Sequence, residues 1–162
     1  MPQSFHIRLA KERFVFSAGH FITYGKDFCE RLHGHNYRVA VELAGPLDEH
    51  KYVVDFIVIR DLVQGIVDAL DHRMLLPLEH PTIRVSSGDR EVEVRHGERR
   101  WVFPVGDCVL LPLANTTAEL LARHIACQLS EKLVTLSQFH PTRLQVAVDE
   151  CDGQWGVYES RS

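Results

Sequence analysis

Paired cysteines, runs of like charge and long apolar stretches are all missing from this sequence. The four cysteines are widely spaced and form no C-x-x-C pair, which argues against a thiolate zinc knuckle or a dithiol redox site. The formal net charge is -4, and no basic block offers the face that a nucleic acid needs. No window approaches the roughly 18 apolar residues of a membrane span. We therefore expect neither a nucleic acid nor a membrane as partner.

The first residues also lack the basic stretch and apolar run that mark a secretory leader. A cytoplasmic protein is the resulting expectation. The 162 residues are 45% hydrophobic, which is enough for one substantial core. Since no repeat, low-complexity tract or linker divides the chain, residues 1–162 are predicted to form a single domain.

Alternation of apolar and polar residues predicts the strands. Residues 5–18 alternate well enough for one long strand, and residues 36–45 alternate more cleanly. Residues 19–34, which include Tyr24-Gly25-Lys26-Asp27, are expected to form an irregular loop between them. Residues 142–150 and 154–159 predict a closing hairpin.

Two helices are predicted from apolar residues spaced by three and four positions. The first covers residues 55–70 with Asp55 as its N-cap. The second opens at residue 115, where Thr116 and Glu119 form a capping-box pattern. Between them, residues 79–112 are predicted to be an inserted β-hairpin without chemistry of its own. The result is an antiparallel α+β fold.

Histidines are the strongest chemical signal. His33 and His35 lie two residues apart, so on a strand their side chains share one face, and His20 ends the preceding predicted strand. Three neutral imidazoles leave a divalent ion its full charge and one open position, which suits a catalytic zinc site. The alternative is that these are unrelated histidines, in a chain that has ten.

Three further groups are candidates for proton transfer or ligand binding. Cys29 lies beside the histidine pair, where a metal or Arg31 would lower its thiol pKa; it could equally be a half-buried loop cysteine. Asp71-His72 could be a carboxylate that orients an imidazole, or a helix end stabilised by its dipole. Glu150 could accept two N–H bonds from a flat heterocycle, or be an ordinary edge-strand charge.

In this order along the chain, several short blocks resemble those of the 6-pyruvoyl tetrahydropterin synthase / 6-carboxytetrahydropterin synthase family. The resemblance covers almost the whole chain except residues 79–112, and its His-Gly-His block is highly specific. The blocks are Phe16-Ser17-Ala18-Gly19-His20, Cys29-Glu30-Arg31-Leu32-His33-Gly34-His35-Asn36-Tyr37, Val54-Asp55-Phe56, Leu70-Asp71-His72, Thr116-Thr117-Ala118-Glu119 and Val148-Asp149-Glu150.

The resemblance implies a tunnelling fold (T-fold), in which a four-stranded antiparallel sheet is backed by two helices. It also implies a homohexamer built as a dimer of trimers, with the pterin pocket between subunits. The cofactor it implies is Zn²⁺, held by His20, His33 and His35. The substrate class it implies is a small-molecule pterin.

By the same resemblance, Cys29 would be the proton-transferring thiol. Asp71 and His72 would form a second acid/base pair that reaches in from a neighbouring chain. Glu150 would anchor the pterin ring, and the residues near that pocket would be Thr116, Thr117 and Glu119.

The expected reaction depends on the segment between the thiol and the histidine pair. Three residues separate Cys29 from His33, as in the 6-carboxytetrahydropterin synthases of the queuosine pathway, whereas the pyruvoyl synthases usually have two more. Glu30 resembles the subgroup that cleaves the side chain to a 6-hydroxymethyl pterin for folate synthesis. The expected substrate is 7,8-dihydroneopterin triphosphate, and 6-carboxytetrahydropterin is the favoured product of this lyase. The alternative products are 6-pyruvoyl tetrahydropterin and 6-hydroxymethyl-dihydropterin. A non-catalytic pterin- or zinc-binding module is the alternative of another class.

Two residues beside the expected site depart from the family pattern. Gly19 stands where family members usually have Ala or Ser, and Cys151 stands where Thr is common. Residues 79–112 form a longer segment than in the short bacterial members. This insertion could cover the pocket mouth or extend the hexamer surface.

Overall fold

The computed structural model describes residues 3–25 and 28–162. Lys26 and Asp27 of the expected loop therefore lie outside the described residues. The elements in chain order are β1 (Phe5–Leu9), β2 (Val15–His20), β3 (Thr23–Tyr24), β4 (Phe28–Cys29), β5 (His33–Gly45), α1 (Phe56–Leu70), β6 (Arg73–Pro77), β7 (Arg84–Ser87), β8 (Glu91–His96), β9 (Arg99–Pro104), a short 3₁₀ turn (Val105–Asp107), β10 (Cys108–Leu111), α2 (Ala118–Ser137), β11 (Arg143–Cys151) and β12 (Gln154–Arg161). Within the described ranges, no helix is both long enough and apolar enough to cross a bilayer.

The main sheet has the strand order β10-β6-β2-β5-β11-β12, and β1 also pairs with β5. Its central strands β2, β5, β11 and β12 are antiparallel, as expected. Strands β6 and β10 add parallel neighbours that the sequence did not predict. The long strand expected over residues 5–18 is wrong in one respect. A turn closed by a hydrogen bond from Phe14 N to Lys11 O splits it into β1 and β2, and both halves pair with β5.

Both predicted helices form and contribute to the main core with buried apolar side chains. Asp55 caps α1 as predicted, because its carboxylate accepts a hydrogen bond from Ile57 N (2.7 Å). The capping box at the second helix is wrong. The N-cap of α2 is Thr117, without a side-chain cap bond, and the buried Thr116 hydroxyl instead donates to Phe21 O (3.4 Å).

Glycine allows α2 to lie close to the last strand. A Cβ atom at Gly156 would come within 2.5 Å of the backbone of Ala118. Such a contact is far inside van der Waals distance, so any side chain there would push the start of α2 away from the sheet. The first turn of α2 is thereby held near the sheet.

The inserted segment is larger than the expected hairpin. Strands β7, β8 and β9 form a separate three-stranded antiparallel sheet, which we call the inserted sheet. One of its faces packs against the main sheet and the segment between β2 and β5, forming a second hydrophobic cluster. The buried members of that cluster are Phe21, Cys29, Met74, Leu76, Ile83, Val92 and Val94.

Candidate active site

Strand register brings the three predicted histidines together. In the antiparallel β2–β5 pair, His20 lies opposite His33, and His35 lies opposite Ala18. All three imidazoles therefore project from the same face of the sheet. One ring nitrogen from each lies within 4.8 Å of the others. We refer to His20, His33 and His35 as the histidine cluster.

Backbone carbonyls orient two of these rings. His20 Nδ1 lies 2.9 Å from Thr116 O, and His33 Nδ1 lies 2.7 Å from Arg31 O. A carbonyl oxygen can only accept, so each Nδ1 donates and each Nε2 of the neutral ring keeps a lone pair. Metal-binding imidazoles are commonly fixed in this way through their second nitrogen. The donor set therefore fits a divalent ion such as zinc.

The cluster is open on one side. His20 is fully buried, whereas the side chains of His33 and His35 are 36% and 22% exposed. Burial lowers the pKa of His35, which favours the neutral imidazole that a metal requires. This combination of one buried and two accessible rings would leave room for a ligand beside the ion.

Tyr37 completes the buried side of the cluster. Its hydroxyl lies 3.1 Å from Nδ1 and 3.2 Å from Nε2 of His20, and its ring stacks on Phe16. Burial, with the Glu150 carboxylate nearby, raises the pKa of Tyr37 well above its ordinary value. The phenol therefore stays neutral. Sequence reasoning missed Tyr37, although period-two spacing after His35 was a usable signal.

Glu150 reaches the cluster from the end of β11. Its Oε1 lies 3.2 Å from Nε2 of His20 and 3.5 Å from Nε2 of His35. The β11–β12 register shifts between Asp149 and Cys151, and such bulges commonly re-aim a side chain. The close contact with His20, foremost among the neighbouring histidines, lowers the pKa of Glu150, so an anionic carboxylate faces the point that the histidines share.

Cys29 and Glu30 are placed differently from each other. The Cys29 side chain is in the second hydrophobic cluster and only 6% exposed, whereas Glu30 Oε2 lies 3.7 Å from His33 Nε2. Burial raises the pKa of the Cys29 thiol, which the Arg99 charge partly offsets. The structure thus names Arg99, and not Arg31, as the cation beside the thiol.

Asp71 and His72 form the predicted pair at the edge of β2. The Asp71 carboxylate accepts from Ser17 N (2.7 Å) and bonds His72 Nδ1 (2.7 Å). These interactions, the Ser17 backbone bond foremost, lower the pKa of Asp71. The exposed His72 lines a cavity of about 590 Å³ together with His33 and His35. Among the described residues, no hydrogen bond or ion pair joins Asp71 or His72 to these histidines.

The remaining predicted residues lie at the start of α2. Thr116 reaches the cluster through its backbone carbonyl. Thr117 is the N-cap of α2, and Glu119 lies exposed in its first turn. In the part of the chain that the structure describes, neither has a hydrogen bond to the histidine cluster.

The two departures from the family pattern are accommodated locally. A Cβ atom at Gly19 would lie 3.1 Å from Met74 Sδ, so glycine at this position leaves room for Met74 on the neighbouring strand β6. Cys151 is exposed at the end of β11. It lies next to the bulge that carries Glu150.

Comparisons with known proteins match most of the chain. The family model described as 6-pyruvoyl tetrahydropterin synthase matches residues 9–161. A Rickettsia bellii protein named 6-carboxy-5,6,7,8-tetrahydropterin synthase is 32% identical over 136 residues, which are 83% of this chain and 88% of that protein. A Methanocaldococcus jannaschii protein that carries the same name provisionally is 34% identical over 144 residues, 88% of each.

Solved structures show the same fold. The 6-pyruvoyltetrahydropterin synthase of Plasmodium vivax superimposes with a TM-score of 0.90 at 27% identity, over 99% of this chain and 100% of that one. Two further structures of that enzyme have a glutamate described as catalytic replaced, by alanine in one and by cysteine in the other. The T-fold expected from the sequence is confirmed.

Proposed function

The chain belongs to the 6-pyruvoyl tetrahydropterin synthase family, and we propose that it is a zinc-dependent synthase acting on 7,8-dihydroneopterin triphosphate. The product we favour is 6-carboxy-5,6,7,8-tetrahydropterin, formed with consumption of one water and release of acetaldehyde and triphosphate. The observation that carries this proposal is the histidine cluster, in which one ring nitrogen of each histidine lies within 4.8 Å of the others while backbone carbonyls hold the Nδ1 atoms of His20 and His33. The carboxy product follows the names of the two relatives described above.

In this proposal, His20, His33 and His35 hold the ion, which polarises an oxygen of the substrate side chain. Cys29 and the Asp71-His72 pair move protons at the adjoining carbons. Glu150 lies beside the cluster and accepts N–H bonds from the pterin ring. The Thr116 carbonyl and the neutral Tyr37 phenol keep His20 fixed.

Among the described residues, no hydrogen bond or ion pair joins Asp71-His72 to the histidine cluster, and this supports an active site shared between subunits. We propose that a neighbouring chain supplies this pair, within a hexamer made of two trimers. Co-expression of Cys29→Ala and Asp71→Asn chains then restores part of the activity, because some sites receive both intact groups. Separately inactive variants that stay inactive when mixed would show that each chain supplies all of its own groups.

Glu30 supports a second reaction, cleavage of the side chain to 6-hydroxymethyl-dihydropterin. Its carboxylate lies 3.7 Å from His33 Nε2, whereas Cys29 is almost fully buried. A glutamate is also described as catalytic in the Plasmodium vivax enzyme. In this second reaction, Glu30 transfers the proton that Cys29 transfers in the reaction to the carboxy product.

Product identification tests both reactions. Zinc-loaded protein is incubated with 7,8-dihydroneopterin triphosphate, and the pterins are identified by mass analysis. A carboxy product supports the main proposal, a hydroxymethyl product supports the Glu30 reaction, and a pyruvoyl product or none overturns both. Absence of product with retained pterin binding would favour a non-catalytic binding module.

Matched variants then assign the proton-transferring group. Cys29→Ala is expected to keep zinc and lose about 10²–10⁴-fold in kcat, which is the usual contribution of a general acid/base. Glu30→Gln serves as its counterpart. If Cys29→Ala turned over normally and Glu30→Gln did not, the role proposed for Cys29 would be wrong.

A further inference from the structure

Arg99 of the inserted sheet contacts the segment that carries Cys29 and Glu30. Its Nη1 donates to Cys29 O (2.8 Å) and its Nη2 to Glu30 O (3.2 Å). One guanidinium thus spans two successive carbonyls of the segment between β4 and β5. The flat fork of an arginine suits such paired acceptors, whereas a lysine ammonium offers only a point charge.

Two stacked aromatic rings connect Arg99 to the residue that follows His20. Arg99 Cζ lies 4.6 Å from the ring centroid of Trp101, which is on the same face of β9. Trp101 in turn stacks on Phe21, with centroids 4.7 Å apart and planes at 22°. Phe21 is fully buried and directly follows His20. A continuous packed path therefore links Arg99 to the chain that bears a histidine of the cluster.

Among the described residues, the other hydrogen bonds that restrain this segment are the two-pair β3–β4 ladder, a backbone bond from Glu30 N to Ile22 O (2.9 Å) and a bond from Cys29 Sγ to Glu30 O (3.5 Å). The Cys29 side chain is also buried in the second hydrophobic cluster. Without Arg99, the carbonyls of Cys29 and Glu30 would lose a charged donor at the point where the chain turns toward β5. Small shifts there would displace both side chains relative to the histidines.

We propose that Arg99 is a positioning residue, which fixes the Cys29–Glu30 backbone so that both candidate acid/base groups keep their places relative to the histidine cluster. The inference rests on the proposed function for its catalytic consequence. It assigns the inserted sheet a role in the reaction, although among the contacts of the described residues Arg99 touches neither the cluster nor the predicted pterin anchor. The positive charge of Arg99 also lowers the pKa of the Cys29 thiol, which burial raises.

The test compares Arg99→Gln and Arg99→Lys with Arg100→Gln. Arg100 is the next residue of β9 and forms an ion pair with Glu93 (2.6 Å) within the inserted sheet, so it is a matched control. For both Arg99 variants we expect kcat to fall about 10²-fold, the cost typical of a small misplacement of reacting groups. KM and bound zinc should stay within about twofold, and added guanidinium ion should partly restore Arg99→Gln. Arg100→Gln should behave as wild type.

Backbone exchange separates this inference from the proposed function. Amide hydrogen exchange in residues 28–33 should be faster in both Arg99 variants than in wild type, whereas residues 143–151 should exchange at an unchanged rate. This result stands even if wild-type protein yields no pterin product, in which case only the proposed reaction fails. Unchanged exchange in 28–33 together with wild-type kcat would overturn the role of Arg99. Loss of zinc, fold and activity in parallel would also overturn it, in favour of general structural support.

Discussion

The main sheet and the inserted sheet differ in how they serve the candidate site. The main sheet places polar side chains by register, with His20 opposite His33 and Glu150 at a bulge of β11. The apolar face of the inserted sheet, β7 to β9, and the guanidinium of Arg99 contact the Cys29–Glu30 segment. We infer that the main sheet supplies the histidines and Glu150 of the site. The inserted sheet fixes the position of the Cys29–Glu30 segment.

The largest effect should follow from removing a metal ligand of the main sheet. His35→Ala leaves two imidazoles, which are too few for a stable zinc site of this type. Bound zinc and turnover should both fall to background, whereas the exposed His50→Ala should retain both. Metal content by mass spectrometry and product formation check this result. A His35→Ala protein with full zinc and full activity would show that the histidine cluster is not the metal site.

A substitution at the packed junction between the main sheet and the inserted sheet should lower the stability of the protein more than its catalytic rate. Phe21→Ala empties a fully buried site against Trp101, and we expect about 3–5 kcal/mol of lost stability. The matched control is Phe28→Ala in the same segment, because Phe28 is 53% exposed and its loss should change stability by about 0.5 kcal/mol or less. Urea unfolding measures both. Equal stability losses would show that the junction is not specifically packed.

A smaller effect is expected at the N-caps of the two helices. Asp55→Ala removes the carboxylate that accepts from Ile57 N at the start of α1, which should cost about 1 kcal/mol. Thr117→Ala at the start of α2 should cost less, because Thr117 makes no side-chain cap bond. Thermal unfolding ranks the two variants. Zinc content should stay at the wild-type level in both variants. A changed zinc content would show that these helix ends affect the metal site.

The smallest effect concerns His80, which lies just before the inserted sheet. Its Nδ1 accepts from the N–H groups of Thr82 and Ile83, and its Nε2 bonds the Thr23 hydroxyl. Burial, with His96 as a second cause, lowers the pKa of His80. The unfolded chain therefore takes up this proton at a higher pH than the folded chain does.

The contribution of His80 to stability is accordingly complete above the unfolded pKa of about 6.5, and it declines as pH falls toward the lower folded pKa. Subtracting the stability of His80→Gln from that of wild type across pH 5–8 isolates this contribution, since the other histidines are common to both proteins. The difference should shrink as pH falls. A difference independent of pH would mean that folding leaves the pKa of His80 unchanged.

Much of the main sheet could be predicted because its signals are local. Period-two spacing placed His33 and His35 on one face, and a polar residue before an apolar periodic run identified Asp55 as a cap. The parallel strands β6 and β10 could not be predicted, since strand pairing at long separation leaves no periodic trace. Arg99 was missed for a related reason. It lies 70 residues from Cys29, in an alternating polar segment that by pattern alone indicates a solvated hairpin.

Zinc titration tests the central claim most directly. Metal-free protein is titrated with zinc while turnover of 7,8-dihydroneopterin triphosphate is followed in the same samples. The account predicts no turnover without metal and a linear rise that ends at one zinc ion per chain. Full turnover in the metal-free protein, or zinc binding that saturates without any pterin product, would contradict it.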